Sequence, residues 1–220
     1  MIHGFEFGVF QENTYLVYDE HGNTLIVDPG CQYPEEQQAL TAFITQNGLR
    51  PARLLNTHCH IDHILGNDFV FRTYGLKPWI HRDDEADLNR LTAYAPVFGI
   101  QATASPSPEG YLAEGDVIEL GELILKVREA PGHSSGSLIF INEKEEWVLG
   151  GDVLFQGSIG RTDLPGGNFN TLMASIHRCL MTLPDAYTLY SGHGPATQIG
   201  QERRHNPFIN NGTTSRMAEG

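Results

Sequence analysis

Thr57-His58-Cys59-His60-Ile61-Asp62-His63 sets four potential metal ligands within six residues. Before it, Ala52-Arg53-Leu54-Leu55-Asn56 reads as a short buried strand; after it, Gly66-Asn67 reads as a helix start. Side chains alternate along an extended chain, so His58 and His60 share one face and Cys59 points into the fold. Asp62 and His63 follow in the turn, where the chain can bend them back toward the same space. A lone histidine there would read as solvated surface. Three imidazoles and a carboxylate converging at a strand end suit a divalent cation instead.

The flanking segments give a fold class. Upstream, Glu12-Asn13-Thr14-Tyr15-Leu16-Val17-Tyr18 and Thr24-Leu25-Ile26-Val27 flank a His21-Gly22-Asn23 turn, a hairpin signal, and Asp28-Pro29-Gly30 stops the second strand. Asp28 reads equally as a turn carboxylate or as a group orienting a ligand histidine. A helix is predicted over 35–46, with Pro34 in its first turn and Gly48 past its end. Downstream come a helix from about Asn67 to Tyr74 and a strand at Lys77-Pro78-Trp79-Ile80. A βαβαβ run of this kind means parallel strands with helices packed on them. Residues 82–116 are less regular, with a helical stretch near Asp83 to Leu91; His81 reads as structural.

Past Asp116 the pattern returns to β, with strands at 117–120, 123–127, 138–141 and 147–149, a helix from about Phe169 to Met181 carrying His177, and a last strand at 187–190. Three further residues with ligating side chains then fall into Gly-flanked turns at strand ends: His133 in Pro131-Gly132-His133, Asp152 in Gly150-Gly151-Asp152, and His193 in Gly192-His193-Gly194. Loops at the ends of sheet strands are where sites are built. With the heptapeptide they supply five His and two Asp, enough for two metals with one carboxylate shared between them.

Composition bounds the function. The chain has 220 residues, 40% hydrophobic and 19% charged, ordinary for one globular domain. Residues 1–209 read as that domain and 210–220 as a flexible tail. A net charge of −13 argues against nucleic acid or an anionic membrane as partner. No apolar run approaches a membrane span, and the N-terminus lacks the pattern of a secretory signal. Cys31, Cys59 and Cys179, odd in number and far apart, fit a reducing cytoplasm better than a disulfide framework.

In order, Thr57–His63, Pro131-Gly132-His133, Gly151-Asp152 and Gly192-His193-Gly194 resemble the metallo-β-lactamase superfamily, over roughly residues 10 to 207. Within it the chain is similar to the short bacterial members of the glyoxalase II (hydroxyacylglutathione hydrolase) branch. The resemblance implies an α/β fold of αββα sandwich type, two mixed sheets face to face with helices outside and the metals at one edge. It implies that His58, His60 and His133 bind one divalent ion and Asp62, His63 and His193 a second. Asp152 would bridge them, with a hydroxide between, and Asp62 and Asp152 would be the catalytic carboxylates. The ions implied are zinc, with iron or manganese as alternatives.

The implied reaction is hydrolysis of a small-molecule thioester of the S-D-lactoylglutathione type. Longer glyoxalase II enzymes grip glutathione with a basic C-terminal extension; this sequence runs only a little past Arg203-Arg204-His205-Asn206-Pro207-Phe208. Arg161, in Ser158-Ile159-Gly160-Arg161-Thr162-Asp163, is then the expected substrate-binding cation, its rival role being an ion pair with Asp163. The same stretch is also similar to persulfide dioxygenases, which would use one iron on His58, His133 and Asp152. Superfamily lactonases and β-lactamases are further alternatives.

Overall fold

A computed structural model of the chain describes residues 1–214, with the backbone alone beyond residue 210. It contains two six-stranded sheets. The first runs in the order β1 (Ile2–Phe7), β2 (Glu12–Tyr18), β3 (Asn23–Val27), β4 (Arg50–Leu55), β5 (Pro78–Ile80) and β6 (Gly110–Tyr111). β1 to β3 pair antiparallel, and β3 to β6 are parallel, as the βαβαβ reading requires. The second sheet starts at its edge with β7 (Val117–Leu120), followed by β8 (Leu123–Glu129), β9 (Leu138–Asn142) and β10 (Trp147–Gly151). A small hairpin, β11 (Leu154–Phe155) and β12 (Ser158–Ile159), leaves the sheet. β13 (Thr188–Ser191) then returns parallel to β10, and β14 (Thr197–Gln198) closes the far edge antiparallel to it. Both sheets are therefore mixed, as expected.

Strands buried on both faces explain the nearly continuous apolar runs of the sequence. Val17, Leu25, Val27 and Leu55 turn inward and meet Leu125, Val127, Phe140 and Leu149 of the second sheet. Their neighbours Leu16, Ile26 and Leu54 turn outward, the period-two alternation of a strand. They pack under Leu40 and Ile44 of α1 (Pro34–Gln46). Burying each of those two side chains is worth about 1.5–3 kcal/mol. After β4 come α2 (Ile61–Ile64), α3 (Asn67–Tyr74) and, past β5, α4 (Glu85–Tyr94). The outer face of the second sheet, Ile139, Ile141, Val148 and Leu189, is covered by Leu172 of α5 (Phe169–Ser175) and by Ile176 and Leu180. The result is the four-layer sandwich that the resemblance implied.

Three details differ from the sequence reading. Asp62 and His63, expected in a turn, lie on α2, a single helical turn too short to show a period. The helix expected from Phe169 to Met181 widens after Ser175 into a π turn, Ile176–Leu180, where Met181 N reaches Ile176 O at 3.0 Å. The flexible tail expected from residue 210 is instead helical through Thr214. After α6 (Ile199–His205), α7 (Pro207–Thr214) starts on a proline whose fixed φ suits a first helical turn. Ile209 packs into the layer over the second sheet. The rest of that tail, 215–220, lies outside the described residues. Among the described residues no helix is long and apolar enough to cross a membrane.

Candidate metal centre

The heptapeptide and the three Gly-flanked turns meet at one edge of the sandwich, where β4, β10 and β13 end and the β8–β9 loop arrives. Hydrogen bonds between the sheets stitch this edge. Leu138 N donates to Thr57 O, and Asn13 N to Gly192 O, each at 2.7 Å. The Asn13 side chain holds the β13 turn by donating to Ser191 O and Gly194 O, and Tyr15 Oη donates to Ser191 O. Two glycines are needed here for space and conformation. Gly151 has φ +48°, and a Cβ on it would sit 2.5 Å from Thr57 Oγ1. A Cβ on Gly192 would collide with the Asp152 carboxylate and come within 2.6 Å of the His63 ring.

The turns bring all seven expected residues together. His58, His60 and His133 form one group and Asp62, His63 and His193 another, each with its ligand atoms within 4.8 Å of one another. His133 Nε2 lies 2.8 Å from His60 Nδ1 and 3.2 Å from His58 Nε2. His193 Nε2 lies 3.0 Å from Asp62 Oδ2, and His63 Nε2 lies 3.8 Å from the same oxygen. Asp152 stands between the groups. Its Oδ2 is 3.5 Å from both His133 Nε2 and His193 Nε2, and its Oδ1 is 3.5 Å from His63 Nε2.

Hydrogen bonds on the far side of the rings decide which nitrogen faces inward as a lone pair. His133 Nδ1 faces Arg161 O at 2.9 Å, and His193 Nδ1 faces the carbonyls of Phe10 and Gln11 at 3.1 Å. His63 Nδ1 faces Asp28 Oδ2 at 3.1 Å. Thr57 Oγ1 donates to Asp28 Oδ2 and so accepts from His58 Nδ1 at 3.1 Å. In all four rings Nδ1 is the donor, which leaves Nε2 without a proton and directed at the centre. His60 points its Nδ1 inward instead, and among the described residues its outer nitrogen has no such anchor. The Nε2 lone pairs of His58 and His133, 3.2 Å apart, repel unless a cation lies between them.

Two more observations test the fit of a metal. His63 Nε2 and Asp152 Oδ1 are buried with no hydrogen-bond partner. Such orphans are costly in a native interior unless something else binds them. The electrostatics agree. Burial pushes His58 well below the ordinary imidazole range and His60 down to about 4, and the neighbouring imidazoles push further. Burial acts the same way on His63 and His193, but Asp62 and Asp152 outweigh it and raise both. Burial would raise Asp152 as well, yet His63, His133 and His193 hold it below the usual carboxylate range. In the acid-rich half the two carboxylates favour positive charge beside them, a field that a divalent cation would satisfy. Histidine and carboxylate donors of this kind suit divalent ions generally.

Asp28 proves to be the orienting carboxylate. A third group, Asp28, His58 and His63, also has ligand spacing. However, Asp28 already accepts from Thr57 N at 2.7 Å, Thr57 Oγ1 and His63 Nδ1, so its oxygens are committed to holding ligands. Its positive φ of 49°, rare for a residue other than glycine, turns it into this position. Cys59, a free thiol 2% exposed, lies among Ile64, Ile80 and Leu88, although the strand before it ends at Leu55. His81 bonds Glu129 and Asp83 N, and His177 is exposed; neither joins the centre.

Sequence reasoning missed two acids. Glu12 is 1% exposed, with Oε2 on Thr14 Oγ1 and Oε1 unpaired 3.9 Å from His63 Nδ1; burial raises it well above the ordinary range. In sequence it is an ordinary acid at the start of a strand, followed by Asn13 and Thr14. Asp84 ties the two histidine loops together, accepting from Cys59 N, Ser134 Oγ and Gly136 N. In sequence it looks like any acid near a helix start. Arg161 borders the cavity above the centre, as expected. Its guanidinium, though, is forked on Asp163 by two 2.7 Å bonds, the rival role, and its carbonyl anchors His133.

With this geometry established, comparison with known proteins becomes informative. The family model of the metallo-beta-lactamase superfamily matches residues 7–193. The probable metallo-hydrolase YqgX of Bacillus subtilis (strain 168) is 39% identical over 207 residues, 92% of this chain and 94% of that protein. The hydroxyacylglutathione hydrolase GloC of Haemophilus influenzae (strain Rd) is 36% identical over 203 residues, 91% and 94%. Among solved structures, the BLEG-1 B3 metallo-beta-lactamase superposes with a TM-score of 0.87 at 36% identity, covering 95% of this chain and 99% of that one. TTHA1623 in a di-iron-bound form gives 0.85 at 35%, covering 94% and 99%.

Proposed function

The chain belongs to the metallo-beta-lactamase superfamily, and on that premise we propose that it is a binuclear metal-dependent hydrolase of small-molecule thioesters, with S-D-lactoylglutathione as reference substrate. The observation that carries this reading is Asp152, within 3.5 Å of histidines from both ligand groups. A single-metal site needs no carboxylate that reaches histidines of both groups. Similarity to GloC supports the thioester as the bond cleaved.

His58, His60 and His133 would hold one ion and Asp62, His63 and His193 the other, with Asp152 shared. Zinc is the first candidate, with iron or manganese as alternatives; the di-iron form of TTHA1623 keeps iron in view. When bound, the ions supply Lewis acidity, acidifying a water to near-neutral pKa and polarising the acyl carbonyl. The residues do the rest. Thr57 Oγ1, Asp28 and the carbonyls of Arg161, Phe10 and Gln11 keep four imidazoles in the ligating tautomer. Asp62, whose carboxylate borders the cavity, takes the proton of the attacking water. Water adds to the acyl carbon, the carbon–sulfur bond breaks, and sulfur leaves as a thiolate. A thiol of pKa near ~8.5 needs no strong general acid to depart. The proposed setting is the cytoplasm, which three unpaired buried cysteines suit, with no nucleic-acid or membrane partner.

Metal analysis and substrate trials test the reading together. Two metals per chain and hydrolysis of S-D-lactoylglutathione are expected. One iron per chain, with oxygen consumed alongside glutathione persulfide, would make it a dioxygenase. Turnover of a β-lactam or lactone far above any thioester would move it to another hydrolase class.

A further inference from the structure

The metal centre is the floor of a cavity of about 650 Å³, a size that suits small-molecule ligands. Its wall is chemically unlike the floor. Phe10, Leu91, Tyr94 and Phe98 line one side, and Phe155 and Ile159 of the β11–β12 hairpin line the other. Phe10, Phe98 and Tyr94 form a row of edge-on rings with centroids 5.6 and 5.4 Å apart. Tyr94 and Phe98 remain 44% and 43% exposed. A ligand laid along them would remove from water apolar surface that the fold itself leaves uncovered.

The cations bordering the cavity are already matched. Arg161 is forked on Asp163, and Arg90 Nη1 stands 3.8 Å from Asp87 Oδ1. Arg203 and Arg204 both pair with Asp185 and do not line the cavity. The described lining therefore offers apolar surface in quantity, and each of its two guanidiniums already has a carboxylate beside it.

We infer that the acyl half of the substrate is apolar, a chain or ring of several carbons lying along Leu91, Tyr94 and Phe98. This rests on the thioester-hydrolase reading and narrows it: the preferred acyl group is more apolar than lactoyl. Selection comes from contact area on the wall, while the floor treats every acyl carbon alike.

Two series on the metal-loaded protein test this. In the first, kcat/KM is measured for N-acetylcysteamine thioesters of lactate, acetate, butyrate, hexanoate and octanoate. Each added methylene should raise it about three- to fourfold until the wall is filled. In the second, calorimetry gives Kd for the free carboxylates of the same lengths, where no turnover is needed. A rising gradient in either series supports the inference; flat or falling values in both overturn it. Phe98→Ala and Tyr94→Ala, at exposed positions, should each lower the hexanoyl value about tenfold and the acetyl value far less, with metal content retained. A gradient that survives both substitutions also overturns it. Binding that rises with length while no thioester is cleaved would sink the hydrolase reading and keep the apolar site. Hydrolysis without any gradient would do the reverse.

Discussion

The floor and the wall of the one cavity are built by opposite rules. In the floor, side chains are positioned by hydrogen bonds from behind: four imidazoles are anchored there, and Asp28 accepts from three donors. In the wall, aromatic and aliphatic side chains meet by contact, and two large rings stay partly open to solvent. Hydrogen bonds are directional and fail over tenths of an ångström, whereas apolar contact scales with area and tolerates repacking. The floor therefore fixes what reaction occurs, and the wall sets which molecule undergoes it.

Substitutions sharpen or break that contrast. Asp152→Asn is expected to have the largest effect, a loss of about a thousandfold or more in kcat/KM together with bound metal, because a neutral amide bridges two cations poorly. Near-normal turnover with two metals retained would end the two-metal reading. Next comes Asp28→Asn. Its amide would set a donor against the donors of Thr57 or His63, and metal affinity should fall about 10- to 100-fold. Metal retained through dialysis against graded chelator is the readout, and an unchanged profile would mean the floor does not depend on its rear anchors.

Cys59→Ala should cost about 1 kcal/mol in denaturant unfolding and change kcat less than about twofold, since the thiol fills space rather than reacting. Burial pushes that thiol well above its ordinary pKa, away from the nucleophilic thiolate. Lost turnover with metal retained would move Cys59 into the chemistry. The smallest effects belong to the exposed Arg161–Asp163 pair, since surface ion pairs contribute only about 0–1 kcal/mol. Arg161→Ala should alter KM for S-D-lactoylglutathione less than about threefold. Asp163→Ala, by freeing the guanidinium, should lower that KM by about the same factor. A tenfold rise in KM on Arg161→Ala would restore Arg161 as the substrate anchor and break the contrast between the two regions.

The floor was more legible in the sequence than the wall, for a physical reason. Candidate ligands have to be particular residue types; His58–His63 cluster where an apolar run stops, and His133, Asp152 and His193 each sit beside a glycine at a strand end. Type and position together reveal them. Their supports do not have to be of one type: Arg161 and Phe10 act through carbonyls, which any residue carries. Glu12 and Asp84 act only once folding sets them beside residues distant in sequence. The wall draws on α4 and the turn after it, within the stretch 82–116 that shows the weakest periodicity. Tyr94 and Phe98 are half outside, so no burial pattern marks them. The fold was legible because strands covered on both faces stand out as nearly continuous apolar runs bounded by turns.

Each ligand group takes side chains from both sheets, so an ion held there is also a cross-link. In polymer terms, joining His60 to His133 closes a loop of 73 residues, and joining Asp62 to His193 closes a longer one. For a covalent tie, closing a loop of this size removes unfolded-chain entropy worth about 4–5 kcal/mol. A coordinated ion acts in the same sense, because the unfolded chain keeps no preformed site for it. On the proposed reading, the histidines that hold the ions would double as rivets for the sandwich. A cell that starves this protein of metal would lose part of the scaffold along with the catalyst.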